Sequence, residues 1–219
     1  ALNMAEAAAF ATAYTTAYVS LIRRGEMKPD DTVLIHGSSG GVGMAAVQLA
    51  KMFGNRVIAT GTSGKKLEIV KSWGADHVVN TLKDGTTAFR EEVKDLTDGK
   101  GADLIYDPVG GDVFDESIRC INWNGRLLIV GFTSGRLPTL PVNIALIKGF
   151  SVIGVRAGEY GIRDPEKGAE TKKIIYELAE TGNLKPYICK EFNLTDAKEA
   201  LKYLSKRKLV GKVVIKNNL

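Results

Sequence analysis

Val33-Leu34-Ile35-His36-Gly37-Ser38-Ser39-Gly40-Gly41-Val42-Gly43-Met44-Ala45-Ala46-Val47-Gln48-Leu49-Ala50 decides how the rest of the chain is read. An apolar β-branched run passes into four glycines within seven residues, then into small and apolar residues at helical spacing. That order is strand, tight turn, helix. Glycine lets the backbone turn sharply and approach an anion with no Cβ in the way, and the N–H groups and dipole of the first helical turn face that anion. The turn therefore has the makings of a phosphate cradle centred on Gly40, Gly41, Val42 and Gly43. Gly43, Ala45 and Ala46 are small enough to let the helix lie close to its strand. The spacing is G-x-x-G-x-x-G rather than the commoner G-x-G-x-x-G.

Downstream, Arg56 to Thr60 reads as a second strand. A dinucleotide fold that prefers the unphosphorylated cofactor places an acid at this strand's end, about 20 residues after the glycines, to accept from the ribose 2′-hydroxyl. The window Thr60-Gly61-Thr62-Ser63-Gly64-Lys65-Lys66 holds no acid. Two lysines, hydroxyls and flexible backbone suit a 2′-phosphate instead. Ser63 also sits where it can cap the next helix, Lys65 to Trp73.

His77 to Val79 is a short third strand, followed by a polar segment and a helix around Ala88 to Leu96. Asp103 to Asp107 is a fourth strand ending in Pro108-Val109-Gly110-Gly111. A helix presenting Phe114, Ile118 and Ile121 leads to a fifth strand, Arg126 to Val130, which ends in Gly131-Phe132-Thr133. Phe150 to Val155 is the sixth. Alternating strands and helices give an α/β fold, a doubly wound parallel sheet of about six strands. Right-handed crossovers put the ends of strands one, four and five on one edge, where ligands of such sheets lie.

Upstream, Asn3-Met4-Ala5-Glu6 has the pattern of a capping box opening a helix that runs to Leu21. After Gly158 the alternation fails. Asp164-Pro165 opens a helix with Ile174, Ile175 and Leu178 on its buried face. Leu184 to Phe192 reads as extended, Thr195 to Lys206 as a helix and Gly211 to Ile215 as a strand with no evident neighbour.

With 219 residues, 44% of them hydrophobic, the chain can bury one substantial core. Its net charge of +5 comes from scattered basic residues; only Lys206-Arg207-Lys208 is a tight run, and it reads as a solvated helix end, so nucleic acid is not the expected partner. Cys120 and Cys189 have no metal or redox spacing, and a reducing, cytoplasmic setting is expected. His36 and His77 both sit in strand-like runs, so no metal site is expected. No stretch is long and apolar enough to read as a transmembrane helix. The first residue is alanine, which reads as a sign that something upstream has been removed.

Several motifs together resemble the medium-chain dehydrogenase/reductase superfamily, and within it the zinc-independent quinone oxidoreductase branch. They are Tyr14-Thr15-Thr16-Ala17-Tyr18 ahead of the cradle, Gly37 to Gly43, Lys66 eight residues before Gly74-Ala75-Asp76, Asp107-Pro108-Val109-Gly110-Gly111, Gly125-Arg126 through Gly131-Phe132, and Val210-Gly211-Lys212-Val213-Val214. The resemblance implies a Rossmann-type domain for NADP(H) over 25–160, preceded by a linking helix over 1–24. Residues 161–219 would return toward a GroES-like, β-rich catalytic domain that is absent here. It further implies metal-free hydride transfer from NADPH to a quinone or a conjugated carbonyl. Gly40, Gly41, Val42 and Gly43 would hold the pyrophosphate, and Gly61, Ser63 and Lys66 the 2′-phosphate. Val109, Gly110 and Phe132 would flank the nicotinamide, with Thr16 reaching its amide. The family's sixth strand commonly joins two subunits, which implies a homodimer through Phe150 to Val155.

Two departures stand out. The catalytic domain is missing, so the chain alone is expected to bind nucleotide and reduce nothing at ordinary rates. Thr81 follows Asn80 where several relatives have a tyrosine that contacts the adenosine phosphate. No proton donor can be assigned. The resemblance leaves an enoyl or alkenal reductase open as an alternative, and also a non-catalytic crystallin-like or RNA-binding protein. A methyltransferase is disfavoured, since it too would want an acid at the end of the second strand.

Overall fold

Three centrally placed strands are buried on both faces, and their sequences account for it. β1 (Thr32–Ile35), β2 (Arg56–Gly61) and β6 (Ala102–Asp107) are near-continuous apolar runs, the signature of parallel strands covered on both sides. In this computed structural model, which describes residues 2–83 and 86–217, they belong to a six-stranded parallel sheet completed by β3 (His77–Asn80), β7 (Ile121–Ile129) and β8 (Ser151–Gly154). The order is β3-β2-β1-β6-β7-β8. Chain order reverses between β1 and β6, and the crevice at such a switch point is where ligands of open α/β sheets bind.

Alternation along the strands splits the core in two. Val33, Ile35, Leu104 and Tyr106 face a layer made by α1 (Met4–Tyr18), α2 (Gly41–Met52) and α8 (Pro165–Glu180). Leu34 and Ile105 face the other way, onto Phe89 and Val93 around α4 (Arg90–Asp95) and Phe114 of α5 (Asp112–Ser117). α3 (Gly64–Ser72) packs against β2 and β3. The remaining elements are a two-stranded antiparallel hairpin, β4 (Leu82–Lys83) and β5 (Thr86–Thr87); α6 (Val142–Lys148); α7 (Ala157–Arg163); and a parallel pair, β9 (Ile188–Asn193) and β10 (Lys212–Lys216), connected through α9 (Ala197–Ser205).

Local chemistry sets the helix starts as the sequence indicates. Glu6 N–H donates to Asn3 Oδ1 at 2.9 Å and Asn3 N–H to Glu6 Oε2 at 2.8 Å, closing the capping box of α1. Lys167 N–H donates to Asp164 Oδ1 at 3.1 Å, and Pro165 occupies the first turn of α8. At the end of the sheet away from the cradle, Arg126 donates to the carbonyls of Gly25 and Glu26 and pairs with the buried Asp31 at 2.6 Å.

Several expectations need correction. α5 ends at Ser117, and Ile121 opens β7 instead of sharing a helix face with Phe114 and Ile118. A short helix over 142–148 and another over 157–163 stand where none was expected. α1 continues through a π-helical segment, Val19–Arg24. The buried face of α8 is Thr171, Ile175 and Ala179; Ile174 and Leu178 are only partly covered. The polar segment after β3 folds as the β4–β5 hairpin, and its glycine, Gly85, lies outside the described residues. β10 has a neighbour within the chain, β9, in parallel register from Val213↔Lys190 to Lys216↔Asn193.

The C-terminal segment is bound firmly to the main sheet's helices. Gln48 donates from Nε2 to the Lys185 carbonyl at 2.9 Å and accepts at Oε1 from the Lys185 N–H (3.1 Å) and the Tyr14 hydroxyl (2.9 Å). Leu184 is fully buried beside them, and Lys185 pairs with Glu6 at 2.9 Å.

Candidate functional site

At the carboxyl ends of β1, β2 and β6 lies a groove of about 430 Å³. Its floor is the turn after β1, and its construction explains the glycines. Gly40 stands just before α2 in extended conformation, and no side chain caps the helix. The first-turn N–H groups of a helix have no intrahelical acceptor, so these are directed at whatever enters the groove. Gly43 is required by close approach: a Cβ there would lie 2.4 Å from the Gly37 carbonyl oxygen and 2.7 Å from Ser38 Cα. Ser38 is tied down by two bonds to the Thr60 carbonyl, from its N–H at 3.1 Å and its hydroxyl at 2.8 Å. The loop is thereby locked to β2.

Following β2, Gly61, Thr62 and Lys66 line one end of the groove, together with Thr81 from the strand end beside them. Thr81 donates its N–H to the Gly61 carbonyl at 2.8 Å. Ser63 precedes α3, but its side chain makes no capping bond. Lys66 is half-buried and donates to the Arg207 carbonyl, leaving further N–H donors for an anion. Among the described residues, those lining this groove include no carboxylate.

At the other end, Val109 and Val113 line the wall with Thr133. Gly110 lies behind them against Phe132, whose ring would be 3.0 Å from a Cβ at that position. The expected site residues are thus largely brought together: Gly40, Gly61, Lys66 and Val109 line the groove, Gly41, Val42 and Gly43 form the helix start beneath it, and Gly110 backs it. Three, Ser63, Phe132 and Thr16, are not among the residues lining it. Phe132 is 43% exposed and lines a neighbouring apolar hollow with Leu137 and Val152. Thr16 is not among the residues lining the groove, and its hydroxyl donates to the Thr12 carbonyl at 2.8 Å.

Other residues enter the site unannounced by the local sequence. Arg207, within the basic run expected to be solvated, lines the groove together with Leu204 and Leu209. Gly211 N–H donates to the Ser39 carbonyl at 2.8 Å, which brings Lys212 against Gly41. Three cationic residues, Lys66, Arg207 and Lys212, thus border the cradle. Nothing local pairs residues 39 and 211; only the anchoring of the C-terminal segment does.

His36 forms part of the groove's inner wall and is fully buried. Its Nδ1 lies 2.7 Å from Thr60 Oγ1 and its Nε2 2.8 Å from Ser117 Oγ. Ser117 gives its own proton to the Val113 carbonyl at 2.6 Å, so it accepts from Nε2–H, and Nδ1 accepts from Thr60. That chain of donors assigns the tautomer. Burial pushes the imidazole down to about 3, so it is neutral at ordinary pH. Among the described residues no cluster of three or more His, Cys, Asp or Glu could hold a metal ion, and no helix is long and apolar enough to cross a membrane.

Comparison with known proteins agrees with this geometry. The sequence model of the family described as zinc-binding dehydrogenase matches residues 41–172. The quinone oxidoreductase-like protein 2 homolog of Nematostella vectensis is 41% identical over 217 residues, covering 98% of this chain and 58% of its own length. The Escherichia coli quinone oxidoreductase, solved in complex with NADPH, superposes with a TM-score of 0.85 at 29% identity over 96% of this chain and 64% of its own. The CurK enoyl reductase gives a TM-score of 0.85 at 28% identity, over 99% and 63%. The chain therefore spans about three fifths of the length of these relatives. Matched through its cradle, sheet and C-terminal segment alike, the chain belongs to the zinc-binding dehydrogenase family of the medium-chain dehydrogenase/reductase superfamily, as the coenzyme-binding portion of a quinone oxidoreductase-like member.

Proposed function

We propose that the groove takes NADPH and that the chain is the coenzyme-binding part of an oxidoreductase that reduces a quinone or a conjugated carbonyl without a metal. One observation carries this reading: the glycine cradle and the acid-free, lysine-bearing bend after β2 open into a single groove whose lining, among the described residues, has no carboxylate. The residues fit the group. Gly40 to Gly43 would receive the pyrophosphate on main-chain N–H groups. Lys66, Arg207 and the uncapped Ser63 would receive the 2′-phosphate, and Lys212 adds positive charge beside the cradle. Val109 and Val113 supply an apolar wall for the nicotinamide end.

The chemistry that NADPH supplies when bound is hydride donation; the chain's own residues bind, orient and exclude water. The substrate wall and the proton donor are assigned to parts of the longer relatives that this chain does not span. A quinone oxidoreductase and an enoyl reductase match the chain about equally well in structure, so the acceptor is proposed only as a class. The proposed setting is a reducing, cytoplasmic one, in keeping with free Cys120 and Cys189.

Calorimetry at modest salt should show NADPH binding more tightly than NADH. A charge-assisted hydrogen bond is worth about 1.5–3 kcal/mol, so Lys66→Glu is expected to weaken NADPH by about 10- to 100-fold and to leave NADH nearly unchanged. Equal affinity of the wild type for both nucleotides sinks the reading.

Pairing of two copies through β8 is part of the same proposal. β8 is an edge strand, Val152 on it is 38% exposed, and Leu146 and Ile147 of the preceding helix are exposed at 82% and 71%. Open edges and exposed apolar side chains favour association. Light scattering should give twice the chain mass for the wild type and the single-chain mass for Val152→Lys with Ile147→Glu. A wild-type monomer at tens of micromolar removes the proposal.

A further inference from the structure

The turn behind the nicotinamide end is built around a carboxyl that the fold does not otherwise need. Asp107 is the last residue of β6 and only 1% exposed. Its Oδ1 accepts from the Val109 N–H at 2.8 Å and the Gly110 N–H at 2.9 Å, while Oδ2 is buried with no hydrogen-bond partner among the described residues. The sheet contacts here are made by main chain: the Asp107 carbonyl accepts from Val130, the Pro108 carbonyl from Thr133 and the Val109 carbonyl from Ser134. A buried carboxyl with an oxygen left over costs stability, and an apolar residue would fill the space without that cost.

What the side chain does provide is order in a loose turn. Gly110 and Gly111 take consecutive left-handed conformations, φ +67° and +58°, which carry the chain from β6 into α5 with Val109 turned into the groove. Two successive glycines have wide conformational freedom. One oxygen gathering the Val109 and Gly110 N–H groups restricts it at its start.

We propose that Asp107 is a positioning residue for the nicotinamide-facing wall: it holds the Val109–Gly110 turn in the orientation that receives the ring, and it does so as a hydrogen-bond acceptor rather than as a charge. The inference rests on the NADPH reading above. Burial pushes the carboxyl above its ordinary range, in keeping with a group whose negative charge is not what the turn requires. An asparagine can present the same acceptor oxygen to the same two N–H groups, whereas alanine leaves both unpaired.

The test compares two ligands on the whole chain by calorimetry: NADPH, and 2′,5′-ADP, which carries the adenosine phosphates but no nicotinamide. Asp107→Ala is expected to weaken NADPH by about 10-fold or more and to leave 2′,5′-ADP within about 2-fold, while Asp107→Asn stays within about 3-fold of wild type for both. Should the alanine variant not fold, Asp107→Leu, which fills the space with no acceptor, carries the same comparison. As a second readout, amide exchange at Val109 and Gly110 should be slow in wild type and Asp107→Asn and fast in the alanine or leucine variant. Equal loss of both ligands, loss of neither, or an asparagine variant as damaged as alanine overturns the assignment. A wild-type chain that binds neither ligand removes the coenzyme reading and this inference with it. A wild type that binds both, with no split in the variants, removes this inference alone.

Discussion

Gly43→Ala is expected to lower the melting temperature by about 3–10 °C and to abolish NADPH binding at concentrations that saturate the wild type. The new Cβ would meet main chain on the opposite side, 2.4 Å from the Gly37 carbonyl oxygen and 2.7 Å from Ser38 Cα. Neither atom can swing away as a side-chain tip could. Overpacking of this kind costs about 1–3 kcal/mol, and in a chain of this size each kcal/mol moves the midpoint by about 2–4 °C. Alanine is the better helix former by up to about 1 kcal/mol, which offsets only part of the clash. To relieve it, α2 must back away from the loop, and the N–H groups at its start then no longer converge on the groove.

A matched control separates this from a general intolerance of side chains. Gly64 opens α3, and a Cβ there has no heavy atom within 4 Å. Gly64→Ala should therefore melt at or slightly above the wild-type temperature. A melting point for Gly43→Ala within 2 °C of wild type, with NADPH still bound, would show that the cradle is not packed as described.

Legibility of the fold followed the range of the interactions. β1, β2 and β6 could be read directly because strands covered on both faces are short apolar runs, and the turn between Ile35 and Gly41 because glycines mark it. The same cues mislead where burial is one-sided. Ile121 continues the helical spacing of Phe114 and Ile118, yet the backbone has already left the helix and entered β7. The helix over 142–148 has no fully buried residue; only Ile144 and Ala145 are partly covered against the core, too few to mark a helical face in the sequence.

Site residues divide in the same way. Gly40, Gly61 and Val109 sit at or just past strand ends and Lys66 in the first turn of the helix after β2, and topology alone collects these positions on one edge. Arg207 and Lys212 arrive by a different route, because the C-terminal segment is pinned more than 130 residues away in sequence, through Gln48 to Lys185. No local pattern encodes that contact. A basic run read in isolation resembles any solvated helix end, whereas here its middle residue lines the groove. His36 was legible as a packed residue, but not as the link between β2 and α5, since Thr60 and Ser117 are distant in sequence.

That link predicts acid sensitivity with a defined window. Folded, His36 takes up a proton only near pH 3 because its site excludes water; unfolded, it does so near 6.5. Between those values the unfolded chain binds more protons than the folded one, so stability falls as pH falls. The contribution is complete above pH 6.5 and is lost progressively toward about 3. From pH 7 to 5 the expected loss is on the order of 2 kcal/mol, and across the whole window on the order of 5 kcal/mol. Carboxylates held low by partners, Glu6 through Lys185 and Asp76 chiefly through Lys51, weaken the fold only below their ordinary value, about pH 4–4.5. Asp107, pushed upward by burial, acts in the opposite sense above its ordinary 3.8. The imidazole's own share of the interval from 7 to 5 is therefore the difference between the wild type and a variant without the ring. Urea titrations at half-unit steps should show this slope in the wild type. His36→Gln should be less stable at pH 7.5, having lost a fitted ring and one of two hydrogen bonds, but should not show that fall between 7 and 5. Protonation would also place a proton on Nδ1, and the Thr60 hydroxyl would then turn its own proton away and accept. An equally steep slope in the variant would locate the acid-sensitive group elsewhere.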